Sequence, residues 1–333
     1  MWSWIKRIFL VALCLALLAS AGLVWYAHSP VQLRADPASF SVKPGSSLKI
    51  ATRQMVESGV ELDAWKFNLL GRVLGKASSI KAGSYEVRGG ITPLALLDKL
   101  SAGEVTQTEL AFIVGWTFGQ MRAALDADPD VRHDSGALSD AQVMARLGAD
   151  GRSPEGLFFP DTYVFGKGTS DLDILERAYK AMQRQLQAAW AQRAPDLPYR
   201  DPYEALIMAS VIEKETGLST ERAMIGGVFV NRLRIGMMLQ TDPTVIYGLG
   251  EKFDGNLRKK DLRADTPHNT YTRAGLPPTP ICMPGLASLQ AALNPAPTKA
   301  LYFVARGDGT SEFSRTLAEH ERAVSRYQRK GKR

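Results

Sequence analysis

The stretch Ala209-Ser210-Val211-Ile212-Glu213-Lys214-Glu215-Thr216-Gly217 carries an apolar helical stripe into two carboxylates and stops at a glycine. The stripe consists of Ile207, Met208, Val211 and Ile212. Glu215 lies three residues past Ile212 and four past Val211, which puts it on the same side of a helix. Glu213 stands two positions away, roughly 200° round the axis, and is expected nearer the polar side. One carboxyl is therefore aimed at buried surroundings where a helix ends. Desolvation there raises a carboxyl pKa and suits the group to donate a proton as a general acid. The competing reading is a helix-end glutamate that pairs with Lys214 or Arg222. Metal and thiol chemistry find little support. His28, His133, His268 and His320 show no H-x-x-x-H spacing, and Cys14 and Cys282 suggest neither a disulfide framework nor a zinc site. No metal and no cofactor are expected.

The elements that must hold Glu215 follow from patterning. A helix from about Asp201-Pro202 takes Pro at an early helical position, and an amphipathic helix over residues 171–193 precedes it. Ser219 is the expected cap of the next helix, with Ile225, Val228, Phe229 and Leu233 on its apolar face and Gly236 at its stop. Beyond it the chain reads as loops: Leu239 to Gly248, Asn269-Thr270-Tyr271-Thr272, and Gly275 to Pro280. Turn formers interleaved with Asn, Thr and Tyr suit a cleft for a hydroxyl-rich ligand. Leu301 to Ala305 reads as a buried strand, Ser311 to Ser314 as its hairpin partner, and Leu317 to Lys330 as a closing basic helix.

Towards the N-terminus, Lys6 and Arg7 precede a charge-free run from Ile8 to Tyr26, long enough to cross a hydrocarbon core of about 30 Å. Basic residues in front place the N-terminus in the cytoplasm, with Trp25-Tyr26 at the far interface. A cleaved signal peptide with Ala19-Ser20-Ala21 at the cut is the alternative, and either reading exports the rest of the chain. The net charge of +7 suits an anionic envelope, but it is diffuse and accompanied by no nucleic-acid motif.

A weak repeat follows. Gly45-Ser46-Ser47, Gly90-Ile91-Thr92 and Gly115-Trp116-Thr117 each close an apolar strand and cap a helix-like run. These units resemble LysM-type modules, small βααβ domains that bind N-acetylated glycans. The expected organisation is a cytoplasmic N-terminus (1–7), transmembrane helix (8–27), linker (28–40), LysM-like subdomain (41–105), connector (106–150) and catalytic domain (151–333). The fold class is α+β.

Several segments in order carry a second, more specific resemblance: Glu155-Gly156 with Phe159-Pro160-Asp161-Thr162-Tyr163, Ala209 to Thr216, Val228 to Leu233, Leu239 to Tyr247, Asn269-Thr270-Tyr271, Gly275 to Pro278 and Leu301 to Ala305. The chain resembles the endolytic murein transglycosylase family (MltG, YceG-like) of bacterial inner membranes. That resemblance implies cleavage of the β-1,4 bond between N-acetylmuramic acid and N-acetylglucosamine in nascent glycan strands, leaving 1,6-anhydromuramoyl ends. It assigns Glu215 as the single acid and base, and implies a catalytic domain on the periplasmic side of the inner membrane. Peptidoglycan strands are the implied partner, and there is room for peptidoglycan synthases. Gln240, Thr241, Asn269 and Tyr271 are candidates for holding the sugar, with loop hydrogen bonding as the alternative role for each. Two rival functions stand beside this one: a hydrolytic muramidase with Asp242 holding the water, which needs a second carboxylate near Glu215, and a non-catalytic glycan-binding scaffold.

Overall fold

The structure is a computed structural model that describes residues 2–329. It is a mixed α+β chain whose sheets are all two-stranded, so helices supply most of the cores. Two compact units emerge, Met1–Glu109 with Val164–Thr169, and Leu110–Tyr163 with Ser170–Arg333.

The first unit begins with the helix Trp2–His28, of which Trp4–His28 is long and apolar enough to cross a membrane. Its final turn enters a core. Ala27 is buried there with Val31, Ala38, Phe40 and Val42, and Leu23 and Tyr26 pack alongside. Residues 28–40 are thus no linker. Gln32–Leu33 pairs with Val60–Glu61, and Ala38–Val42 pairs antiparallel with Gly83–Val87. The reason is strict alternation: Ala38, Phe40 and Val42 point inward while Ser39 and Ser41 stay exposed, and Phe40 stacks on Tyr85 at 5.5 Å. The helices Leu48–Glu57 and Ala64–Val73 lie between the strands Ala38–Val42 and Gly83–Val87 in sequence, a β-α-α-β frame with the short strand Val60–Glu61 inserted between its helices. The repeated Gly-x-Ser/Thr signal marks three helix starts, with a side-chain capping bond at Thr92 and Thr117 but not at Ser47. Gly45, Gly90 and Gly115 all adopt positive φ, and Ser47, Thr92 and Thr117 occupy the N-caps two residues on.

In the second unit the connector expected over residues 106–150 is, from Leu110 onward, part of the body and contributes the helices Phe118–Ala127 and Asp140–Arg146. The helix Pro202–Glu215, capped by Asp201, is enclosed on all sides: every residue from Ala205 to Ile212 is buried. It is covered by the helix Leu286–Leu293, which also packs on Arg222–Arg234. Gly226 permits that approach, since a Cβ there would sit 2.5 Å from the Ala291 carbonyl oxygen. Ser210, the single polar residue in the buried run, donates to the Ile207 carbonyl at 2.7 Å and accepts from the Ile281 N–H at 3.0 Å.

Three local expectations change. The helix expected to be capped by Ser219 starts at Arg222, and Glu221 instead accepts from the Ser311 N–H and hydroxyl, both at 2.7 Å. Leu239 to Gly248 is no open loop, because Asp242–Leu249 is a helix with Pro243 in its first turn. The closing helix is Leu317–Val324, continued by a π-helical turn Ser325–Arg329; Lys330 lies outside the described residues. Tyr302–Ala305 and Ser311–Ser314 form the expected hairpin.

Candidate active site

Glu215 is the last residue of the helix Pro202–Glu215, followed by Thr216 in extended conformation. Its side chain is part-buried and opens on a cleft of about 1050 Å³, lined also by Arg232, Gln240, Asp242, Tyr271 and Tyr302. Among the described residues Glu215 makes no ion pair. Its polar contact is with Thr241, whose hydroxyl donates to Oε2 at 2.5 Å. Burial holds the Glu215 pKa above the usual glutamate range, against the pull of the Thr241 hydroxyl; the Asp242 charge adds to the rise and Arg232 opposes it. A helix C-terminus also disfavours negative charge. The group is therefore held towards its protonated form, as a proton donor requires.

Thr241 shows how the loop is built for this contact. It is the N-cap of Asp242–Leu249, yet its hydroxyl does not cap the helix because it is turned to Glu215. The backbone is fixed instead by Thr270, whose hydroxyl accepts from the Thr241 N–H at 3.1 Å and lies 2.9 Å from the Thr244 hydroxyl. Gln240, immediately before, has φ of 48°, a left-handed conformation that costs a non-glycine residue about 1–2 kcal/mol. Strain of this kind persists where surrounding contacts over-determine the backbone; here the Gln240 N–H donates to the Thr270 carbonyl at 3.1 Å.

Tyr271 lines the cleft and donates its hydroxyl to Asp242 Oδ1 at 2.6 Å. Asn269 does not line it. It is fully buried, its Nδ2 donates to the carbonyls of Asp261, Leu262 and Ala264, and its Oδ1 accepts from the Tyr271 N–H at 2.8 Å. Its amide is spent on backbone, so of its two readings loop bonding is the one realised: Asn269 positions Tyr271.

Glu213 departs from expectation. It does not face solvent: its side chain is 6% exposed, paired with Arg222 Nη2 at 3.2 Å, while Oε2 accepts from the Gly285 N–H at 2.9 Å. Gly285 is the N-cap of Leu286–Leu293, where a carboxylate is favoured by the helix dipole. The reason is that a helix apolar all round has no polar side to offer.

Two further groups went unassigned in the sequence. Arg232 is buried at the cleft, donating from Nε to the Leu301 carbonyl at 2.6 Å and from Nη1 to the Leu239 carbonyl at 2.7 Å. Its place on the apolar face with Val228 and Phe229 was the available signal. Glu155 is buried beneath Tyr247, whose hydroxyl lies 3.2 Å from Oε2, and it accepts from the Phe118 N–H. Burial pushes it up to about 7. Elsewhere Asp126, His133 and Asp171 bring ligand atoms within 4.8 Å of one another, but both oxygens of Asp171 already accept from Ser135.

The sequence pattern of the YceG-like family matches residues 40–326. The chain belongs to that family. It is 33% identical over 269 residues to the endolytic murein transglycosylase of Bacillus subtilis (strain 168), covering 75% of this chain and 74% of that protein. The protein of the same name from Streptococcus pneumoniae (strain D39) is 26% identical over 285 residues, 75% of this chain and 51% of that one. A crystal structure of a yceG-like protein from Listeria monocytogenes matches with a TM-score of 0.53 at 28% identity, over 86% of this chain and 98% of that one. The matched YceG-like region includes Glu155, Glu215, Arg232, Thr241 and Tyr271.

Proposed function

We propose that this YceG-like protein is a membrane-anchored endolytic lytic transglycosylase. It cleaves the N-acetylmuramic acid–N-acetylglucosamine β-1,4 bond of nascent peptidoglycan and thereby terminates glycan elongation. One observation carries the chemistry: Glu215 is a desolvated carboxyl with no ion-pair partner among the described residues, opening on a cleft large enough for sugars. Glu215 protonates the glycosidic oxygen as the C1–O bond breaks, the acetamido group of the muramoyl residue supports the oxocarbenium-like centre, and the carboxylate then takes the C6 hydroxyl proton as O6 bonds to C1. No water is consumed, so one carboxyl suffices. The intramolecular attack gains from proximity. The names of the Bacillus and Streptococcus relatives support the same substrate and reaction class.

In this reading Arg232 and Thr241 ease the negative charge that Glu215 acquires after donating its proton. Gln240 and Tyr271 contact the sugar. Residues 8–27 anchor the protein in the inner membrane with the N-terminus in the cytoplasm, and the rest is periplasmic. The β-α-α-β module is LysM-like and binds glycan. Incubating the purified full-length protein with sacculi and weighing the released fragments tests the reaction, because anhydro and reducing ends differ by one water. Anhydro-ended fragments that vanish with Glu215→Gln are expected. Reducing-ended fragments would identify a muramidase, and no fragments at all a glycan-binding scaffold.

A further inference from the structure

The membrane-spanning helix does not end in a free tether. Its last turn is fastened to the first turn of Ala64–Val73: the Tyr26 hydroxyl donates to the Asp63 carbonyl at 3.3 Å, and the Lys66 ammonium lies 5.7 Å from the Tyr26 ring centre. Asp63 is the N-cap of that helix, accepting from the Lys66 N–H at 3.1 Å. Trp65 lies in the same turn and is 71% exposed, an uncommon state for a large indole; Trp25, the neighbour of Tyr26, is 75% exposed. Two Cα–Cα steps limit the separation of Trp65 from Asp63 to roughly 8 Å. Trp65 is therefore held at the level where the spanning helix leaves the bilayer. Indole rings concentrate at that level, with apolar bodies among acyl chains and N–H groups among headgroups.

The surrounding charge says what kind of contact this is. Lys66, Arg34 and Arg53 lie 3.0, 3.7 and 3.9 Å from Asp63, Glu61 and Glu57. Lys49 and Arg72 border the same groove without an ion pair among the described residues, so the rim is mildly basic and assists an indole whose own insertion needs no anionic lipid. Trp65 also borders a groove with Ile50, Val56 and Leu69, and an exposed indole in a groove can stack on sugar. The fastening of its own helical turn to the spanning helix favours the bilayer.

We propose that Trp65 inserts into the interfacial layer of the bilayer as a second aromatic anchor beside Trp25. One span alone leaves a domain free to tilt, whereas two contact points seat the β-α-α-β module on the membrane surface. The inference rests on the reading of residues 8–27 as an uncleaved anchor. The test uses the full-length protein labelled with fluorotryptophan in bilayer nanodiscs that contain a nitroxide lipid spin-labelled near the headgroup. The Trp65 and Trp25 fluorine resonances are assigned by their loss in Trp65→Phe and Trp25→Phe. Both resonances should broaden to a similar degree, in pure phosphatidylcholine as in mixtures with phosphatidylglycerol. A broadened Trp25 beside a sharp Trp65 overturns the seating and leaves the anchor standing. If neither broadens, the anchor reading fails and takes the seating with it. Broadening of Trp65 only when phosphatidylglycerol is present, or its reversal by soluble glycan fragments, also overturns the proposal.

Discussion

Glu213 and Glu215 share the last turn of one helix, yet the two sides of that turn do opposite things with a carboxylate. On one side Glu213 is closed in by Arg222 and the Gly285 N–H, at the start of another helix. On the other, Glu215 meets a neutral hydroxyl at the end of its own helix and an open cleft. Glu213 thus has a cation and a helix N-terminus as partners, whereas burial and the C-terminus of its own helix hold Glu215 towards the protonated form. Burial alone therefore does not mark a catalytic carboxyl. What distinguishes Glu215 is burial without a counter-ion, next to space for a ligand.

The largest expected effect tests that distinction directly. Glu215→Gln should reduce release of anhydro-ended fragments by about 10²- to 10⁴-fold, the usual contribution of a positioned acid. Its fold should survive. Above the ordinary carboxylate range the variant should even be slightly more stable than the parent, because a carboxyl with a raised folded pKa loses stability as pH rises through that value and the amide has no such loss. Near-normal turnover in Glu215→Gln would falsify the one-carboxyl mechanism.

Glu213→Gln should separate structure from chemistry. The substitution leaves the part-buried Arg222 guanidinium without its counter-ion and weakens the bond to Gly285, which should cost about 1–3 kcal/mol. Chemical denaturation reads this loss, and the folded fraction should keep its rate within a few-fold. A variant of unchanged stability but abolished activity would reverse the roles assigned to the two sides of the turn.

How far these roles were legible in the sequence depends on where the partners come from. The i+3 and i+4 spacing from Ile212 and Val211 selected Glu215, since a helix face is local information. The surroundings of Glu213 were not local: Arg222 lies nine residues on and Gly285 seventy-two. The run from Ala205 to Ile212, broken only by Ser210, was the overlooked sign of a helix buried all round. Pro30 and Pro37 suggested a linker and hid the alternation of Ala38, Phe40 and Val42. Asp242-Pro243 read as a turn but is also a helix start, and the direction of the Thr241 hydroxyl depends on a residue twenty-six positions earlier.

Glu155 supplies the control for burial with little chemistry attached. Its pKa is pushed up to about 7 from the ordinary 4.5, chiefly by desolvation, with the Tyr247 hydroxyl and the Phe118 N–H pulling the other way. The folded value lies above the unfolded one, so the folded state keeps the proton across that window. Stability is greatest below about 4.5 and falls as pH rises through about 7. The loss is on the order of 3 kcal/mol once complete. Glu155→Gln should therefore match the parent at pH of about 4 and exceed it at about 8 in urea midpoint. An equal difference at both values would mean that Glu155 does not titrate in this window.

The smallest effect belongs to Thr241, and it is the finest probe of the Glu215 side. The hydroxyl stabilises the carboxylate form, so it lowers a pKa that burial has raised. Thr241→Val keeps the shape of the side chain but removes this donor. The carboxylate then becomes harder to form, Glu215 holds its proton more tightly, and the alkaline limb of the rate profile should move to higher pH. A more weakly acidic group is also a poorer proton donor, so the plateau rate should fall, by a few-fold only, because the acid itself is still present. Thr241→Ser restores the donor and should return the limb to its original position. That rescue separates an electrostatic role from packing, since serine lacks the methyl group that valine keeps. An alkaline limb that stays in place in Thr241→Val would mean that the 2.5 Å contact does not set the proton affinity of Glu215, leaving desolvation and the Asp242 charge to account for it.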